Sequence, residues 1–138
     1  MQALQVKDDG VYVDATYGRG GHAQKILEKI GERGRLLMFD RDPRACEDAR
    51  RRFGADSRVT IQPGPFSLLG RTIERLGLAG KINGMLFDLG VSSPQLDDPG
   101  RGFSFRADGP LDMRMDPGTG ESAADWLNRA EENEIVRV

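Results

Sequence analysis

The stretch Asp14-Ala15-Thr16-Tyr17-Gly18-Arg19-Gly20-Gly21-His22-Ala23 holds the densest group of residues able to do chemistry in this 138-residue chain. Gly18, Gly20 and Ala23 satisfy the spacing G-x-G-x-x-A, and Asp40 follows about 20 residues later, the separation of a ribose-binding acid. Glycines let a backbone turn sharply and approach a ligand closely, and a carboxylate can accept hydrogen bonds from both ribose hydroxyls of an adenosine. A tight strand-to-helix turn would use the same glycines. Asp14, ahead of the glycines, separates two kinds of adenosine ligand. A carboxylate repels the pyrophosphate of a dinucleotide but suits a sulfonium and an ammonium group. That favours S-adenosylmethionine over NAD, unless Asp14 merely caps the following helix.

A second cluster is Asp88-Leu89-Gly90-Val91-Ser92-Ser93-Pro94-Gln95-Leu96-Asp97. Amino-methylating enzymes place an acid or a serine followed by proline at this point. An exocyclic base amine has its lone pair delocalised into the ring. Acceptors on its N–H protons pull the nitrogen toward a tetrahedral, nucleophilic form, and fixed orientation supplies the rest. Asp88, with the carbonyls or hydroxyls of Ser92 and Ser93, is the expected set of amine acceptors; a polar turn capped by Asp88 is the plainer alternative. Phe66, in Gly64-Pro65-Phe66, could pack on adenine or sit in the core. His22 opens a helix, where its backbone N–H is better placed for a ligand than its imidazole. The segments 101–106 and 111–116 interleave arginines with aromatic and sulfur side chains, which suits phosphate contact and base stacking. Asp108, Asp112 and Asp116 could equally tie those arginines into internal salt bridges. Arg50-Arg51-Arg52 reads as a solvated helix end.

Alternating strands and helices must position these groups. Strands are predicted at 10–14, 35–40, 59–61 and 81–88, three of them ending in an acid. Helices are predicted at 22–30, from Asp42-Pro43 to Phe53, and at 67–76. This pattern predicts an α/β, Rossmann-like, doubly wound and mostly parallel sheet, with the first and fourth strands as neighbours. Residues 89–121 carry few periodic apolar positions and read as a functional loop. Helices are expected again from Ser122 and from about Glu131. Met85-Leu86-Phe87 has no Lys or Pro to guard an edge, and nothing downstream reads as a covering strand. The expectation is therefore one domain, 1–138, forming the N-terminal part of a larger fold, with an edge open to pairing with a second copy.

Composition narrows the functions further. Glycine is abundant (18 residues) but without a collagen period, and 38% of residues are hydrophobic, too many for a disordered chain. No apolar run could span a bilayer, and no leader-like segment opens the sequence, so a cytoplasmic protein without membrane partners is expected. Cys46 and His22 are the only residues of their types, which rules out a Cys/His zinc site within these residues. With 20 basic and 22 acidic residues the net charge is -2, so nucleic-acid binding would depend on local basic patches.

Six motifs together carry a resemblance. They are residues 14–22, Phe39-Asp40-Arg41-Asp42-Pro43, Gly64-Pro65-Phe66-Ser67, Asp88 to Asp97, Arg101-Gly102-Phe103-Ser104-Phe105, and Gly109 to Asp116. The sequence resembles the bacterial 16S ribosomal RNA cytosine-N4 methyltransferase family over nearly its whole length. The resemblance implies S-adenosylmethionine as donor and, as acceptor, the N4 amine of a cytidine in the decoding region of the small ribosomal subunit. It implies that Gly20, Gly21 and His22 line the methionine portion of the donor. Asp40 would take the ribose and Phe66 the adenine side, with Asp88 and Gln95 completing the pocket. Tyr17 stands where the family usually has Phe. The family's inserted helical domain, its later strands and a Ser-Phe-His-Ser stretch are not among these residues. Two other readings remain open: an NAD-dependent oxidoreductase, resting on G-x-G-x-x-A with Asp40, and a noncatalytic RNA-binding module.

Overall fold

In a computed structural model that describes residues 4–138, the chain divides into two compact units, one ending at Leu89 and the other running from Gly90 to Val138. The first unit is built on four parallel strands: β1 (Val11–Asp14), β2 (Arg35–Asp40), β3 (Val59–Pro63) and β4 (Gly84–Leu86), in the order β3-β2-β1-β4. From β1 the chain steps outward to β2 and β3, then crosses to the other side of β1 to form β4. That reversal is the topological switch point of a doubly wound sheet, and the Rossmann-like α/β class expected from the sequence is the one observed.

Side chains alternate across the central strands as the pleat requires. Tyr12, Leu36 and Met38 face one way and pack with Ala23, Ile26, Leu27 and Ile30 around helix α1 (Gly21–Leu27), and with Ala49 of α2 (Pro43–Phe53). Val13, Leu37 and Phe39 face the other way and meet Ile73 of α3 (Leu69–Arg75). Burial on both faces explains why β2 reads as an unbroken apolar run. Helix α2 begins as its sequence demands, with the Asp42 carboxylate accepting the Arg44 N–H at 2.9 Å and proline in the first turn. The Arg58 guanidinium, held in a fork by Asp56, donates to the carbonyls of Leu27 and Ile30 and so satisfies the end of α1.

Local details depart from the sequence reading. The fourth strand is shorter than the expected 81–88, because the Lys81 N–H turns back to the Leu78 carbonyl. Asn83 then ties the strand entrance to Val11, its side-chain oxygen accepting the Val11 N–H at 2.8 Å. Helix α1 stops at Leu27, three residues early, and α3 is preceded by a tight 3₁₀ turn at Phe66–Leu68. The segment 89–121 is not wholly irregular: helix α4 (Ser93–Asp97) and a 3₁₀ turn (Pro99–Arg101) lie within it. The rest of the second unit is α5 (Ala123–Arg129), capped by Ser122, and α6 (Glu132–Ile135). Among the described residues no helix is long and apolar enough to cross a membrane.

The central position of β2 sets an expectation. Leu37, 1% exposed and packed against Val13, Phe39 and Ile73, should cost about 2–5 kcal/mol when cut to alanine, read as a lower urea midpoint with an unchanged slope.

Candidate active site

The carboxyl ends of β1, β2 and β4 each deliver an acid to the same edge of the sheet. Asp14 closes β1 and pairs in register with Met38 on one side and Leu86 on the other. Asp40 and Asp88 each stand two residues beyond those partners. Asp14 is fully buried, with one carboxylate oxygen accepting the Thr16 N–H at 3.2 Å and the other, Oδ2, left without any hydrogen-bond partner. Burial pushes its pKa up to about 6; the Thr16 N–H and the neighbouring His22 pull it down, while the negative charges of Asp40 and Asp88 push it further up. Asp14 therefore feels the charge of both other acids. A buried, unsatisfied acceptor costs about 1–3 kcal/mol and marks where a donor or a cation would be received.

Between Asp14 and α1 the chain forms a compact loop. Tyr17 N–H donates to the Phe39 carbonyl (2.8 Å) and Gly20 N–H to the Tyr17 carbonyl (2.7 Å). The Gly18 N–H donates to Asp40 Oδ2 at 2.7 Å, and the Asp42 N–H to Oδ1 of the same carboxylate at 2.8 Å. Asp40 is thus oriented by two backbone donors while each oxygen keeps a further lone pair, which fits an acceptor for ribose hydroxyls. Burial raises its pKa, and these backbone donors oppose the rise. Gly18 and Gly20 lie at φ 54° and 71°, the left-handed region. At Gly20 even a methyl group would strike the Tyr17 ring, 2.6 Å from its hydroxyl oxygen, whereas a methyl on Gly21 would meet nothing within 4 Å. The backbone is pressed against protein on one side and open at Gly21.

Asp88 is fixed through its backbone, whose N–H donates to the Thr16 hydroxyl at 2.8 Å, and its carboxylate lies 3.4 Å from His22 Nε2. That leaves the Asp88 side chain 70% exposed. Nδ1 of His22 is buried without a partner. Phe66 is not a core residue: it is 46% exposed and meets Phe87 edge to face, ring centroids 5.6 Å apart. Phe87, 47% exposed, immediately precedes Asp88 in the chain. The sequence reading did not single out Thr16 or Phe87, and it ranked the His22 backbone N–H above the imidazole that here faces Asp88. Only the polar exit of β1 and the aromatic preceding Asp88 could have signalled them.

Ser92, Ser93 and Gln95 belong to the second unit, where they build the start of α4. The Gln95 side-chain oxygen accepts the Ser92 N–H at 2.8 Å and its amide reaches Met115 Sδ at 3.5 Å. Of the internal salt bridges expected in 101–116, the one between Arg114 and Asp112 is seen. Arg114 is forked onto Asp112, and Arg101 donates to the carbonyls of Arg114 and Met115. Among the described residues, no cluster of His, Cys, Asp and Glu is arranged to hold a metal ion.

The profile of the MraW methylase family matches residues 1–138, the entire chain. The chain belongs to that family. It is 57% identical over 138 residues to ribosomal RNA small subunit methyltransferase H of Thioalkalivibrio sulfidiphilus and 59% identical to the protein of that name from Alteromonas mediterranea. A third relative of that name, from Shewanella woodyi, is 56% identical. All 138 residues align in each case, and they span 44% of the length of each relative. In this MraW family member the motifs from 14 to 43 thus coincide with the strand tips and turns that gather the acids.

Asp14 should act as a stored cost in the fold. Its pKa is raised in the native state, so the penalty is complete above about pH 6, where it is ionised and buried. The penalty fades as pH falls toward the ordinary value of 3.8 and vanishes below it. Asp14→Asn keeps the acceptor for Thr16 and should raise unfolding stability near neutral pH by up to about 3 kcal/mol. Urea titrations at about pH 8 and pH 4 check this: an equal gain at both would contradict it.

Proposed function

We propose that the chain is the donor-binding part of an S-adenosylmethionine-dependent methyltransferase that modifies the N4 amine of a cytidine in small-subunit ribosomal RNA. The observation that carries the reading is the buried, unsatisfied Asp14 oxygen, within electrostatic reach of Asp40 and Asp88. Such an anionic edge favours a sulfonium and an ammonium and disfavours a pyrophosphate, which argues against the NAD-dependent alternative. The relatives' shared description as ribosomal RNA small subunit methyltransferases supports the choice of substrate class.

When bound, S-adenosylmethionine supplies an electrophilic methyl group. Asp14 would compensate positive charge on the donor, with Gly20, Gly21 and His22 beside its methionine portion. Asp40, oriented by Gly18 and Asp42, would accept from the ribose hydroxyls. The exposed face of Phe66 would take the adenine side. Asp88 would accept an N–H of the target amine and later its released proton, raising the nucleophilicity of that nitrogen. The target base must leave its stack to reach such a site. Gln95 as a donor contact rests on the resemblance alone, and Ser92 and Ser93 as amine acceptors rest on the chemistry of their segment after Asp88.

Calorimetry on the intact protein separates the ligands: S-adenosylhomocysteine should bind and NADH should not, and the reverse result overturns the reading. Asp88→Ala should reduce methyl transfer to a small-subunit RNA substrate by a factor of about 100 or more while leaving the melting temperature unchanged. Near-normal turnover would remove Asp88 from its role. Preference for the sulfonium donor over the neutral thioether product should grow as pH rises through about 6, as Asp14 ionises, and Asp14→Asn should flatten that trend.

A further inference from the structure

The glycine loop is gripped from the side opposite its open face. The Tyr17 hydroxyl donates to Asp48 Oδ2 of α2 at 2.7 Å. One residue-turn along the same helix, Arg52 Nη1 donates to the Arg19 carbonyl at 2.6 Å, and Nη2 to Gln24 Oε1 of α1 at 3.1 Å. Nη1 also lies 3.4 Å from the Tyr17 hydroxyl and 3.5 Å from Asp48 Oδ2. The Arg52 guanidinium carbon sits 4.8 Å from the centroid of the Phe53 ring, and Tyr17 meets the same ring edge to face at 6.3 Å. This arginine does not belong to a solvated run: only 32% of its side chain is exposed, against 77% for Arg51. Burial raises the Asp48 carboxyl, but Tyr17, Arg51 and Arg52 outweigh it and hold the group below its ordinary value. Burial and the bond to Asp48 raise the Tyr17 hydroxyl, which stays protonated as the donor.

We infer that Arg52, with Tyr17 and Asp48, is a positioning residue that clamps the Gly18–Gly21 loop in its ligand-ready shape by holding the Arg19 carbonyl and the start of α1 to helix α2. A loop with two left-handed glycines has many unfolded alternatives, and the clamp removes them before any ligand arrives. The Arg19 carbonyl lies between the two left-handed glycines, so holding it restrains the turn they make. The Tyr17 ring fills the space a Gly20 side chain would need, so the loop is pinned from carbonyl and ring together. The clamp's consequence for the donor rests on the function proposed above; its consequence for loop order does not.

The test compares Arg52→Ala, Arg52→Lys and Arg50→Ala in the intact protein. Arg50→Ala removes the same charge from the same helix at an exposed position and controls for electrostatics. Arg52→Ala should weaken S-adenosylhomocysteine binding about tenfold, the equivalent of one charge-assisted hydrogen bond, and raise the donor KM similarly with kcat at saturation nearly unchanged. Arg52→Lys should recover part of the loss, and Arg50→Ala should lose less than about twofold. Hydrogen exchange at the amides of residues 18–22 should quicken in Arg52→Ala and not in Arg50→Ala. Equal affinities and equal exchange in the two alanine variants would overturn the clamp. If the unaltered protein binds no S-adenosylhomocysteine, the proposed function fails and exchange alone decides the clamp. If Arg52→Ala does not fold, Arg52→Lys carries the comparison, and wild-type exchange and affinity in that variant would overturn it.

Discussion

The first unit depends on the placement of one carboxylate, that of Asp14, at the buried end of the innermost strand. Asp14 is fully buried at the end of a strand paired with β2 on one side and β4 on the other. A single backbone donor, Thr16, satisfies one of its oxygens and none reaches the other. Asp40 and Asp88 deepen the cost by adding negative charge nearby. This buried acid is a cost to the fold, one that the positive charge or donors of the proposed ligand would offset.

Around that acid, the fold supplies two kinds of support. The backbone N–H groups of Gly18 and Asp42 hold the Asp40 carboxylate, and the Thr16 hydroxyl holds the main chain of Asp88 by accepting its N–H. Asp48 and Arg52 of α2 brace the loop from behind, through the Tyr17 hydroxyl and the Arg19 carbonyl. The open face is left to Gly21 and to the partly exposed His22, Phe66 and Phe87. Rigid support behind and open backbone in front is what preorganisation requires, since a ligand then meets a shape that need not be ordered at its expense. The second unit has its own logic, in which the forked Asp112–Arg114 pair and the carbonyl contacts of Arg101 brace a chain with little regular structure.

Sequence alone determined the strands, the crossover helices and the acids at the strand ends, because those depend on local periodicity, capping and chain direction. Asp42-Pro43 had to start a helix, and Leu36 to Phe39 had to be buried on both faces. It also placed G-x-G-x-x-A and Asp40 at one sheet edge, since parallel strands joined by helices put all their carboxyl ends together. Only the tertiary structure decided that Arg52 reaches the Arg19 carbonyl and Gln24, that Phe66 stands exposed beside Phe87, and that one Asp14 oxygen lacks a donor. Those outcomes hang on which groups from distant segments arrive within about 3 Å of one another, and spacing along a chain carries no record of that.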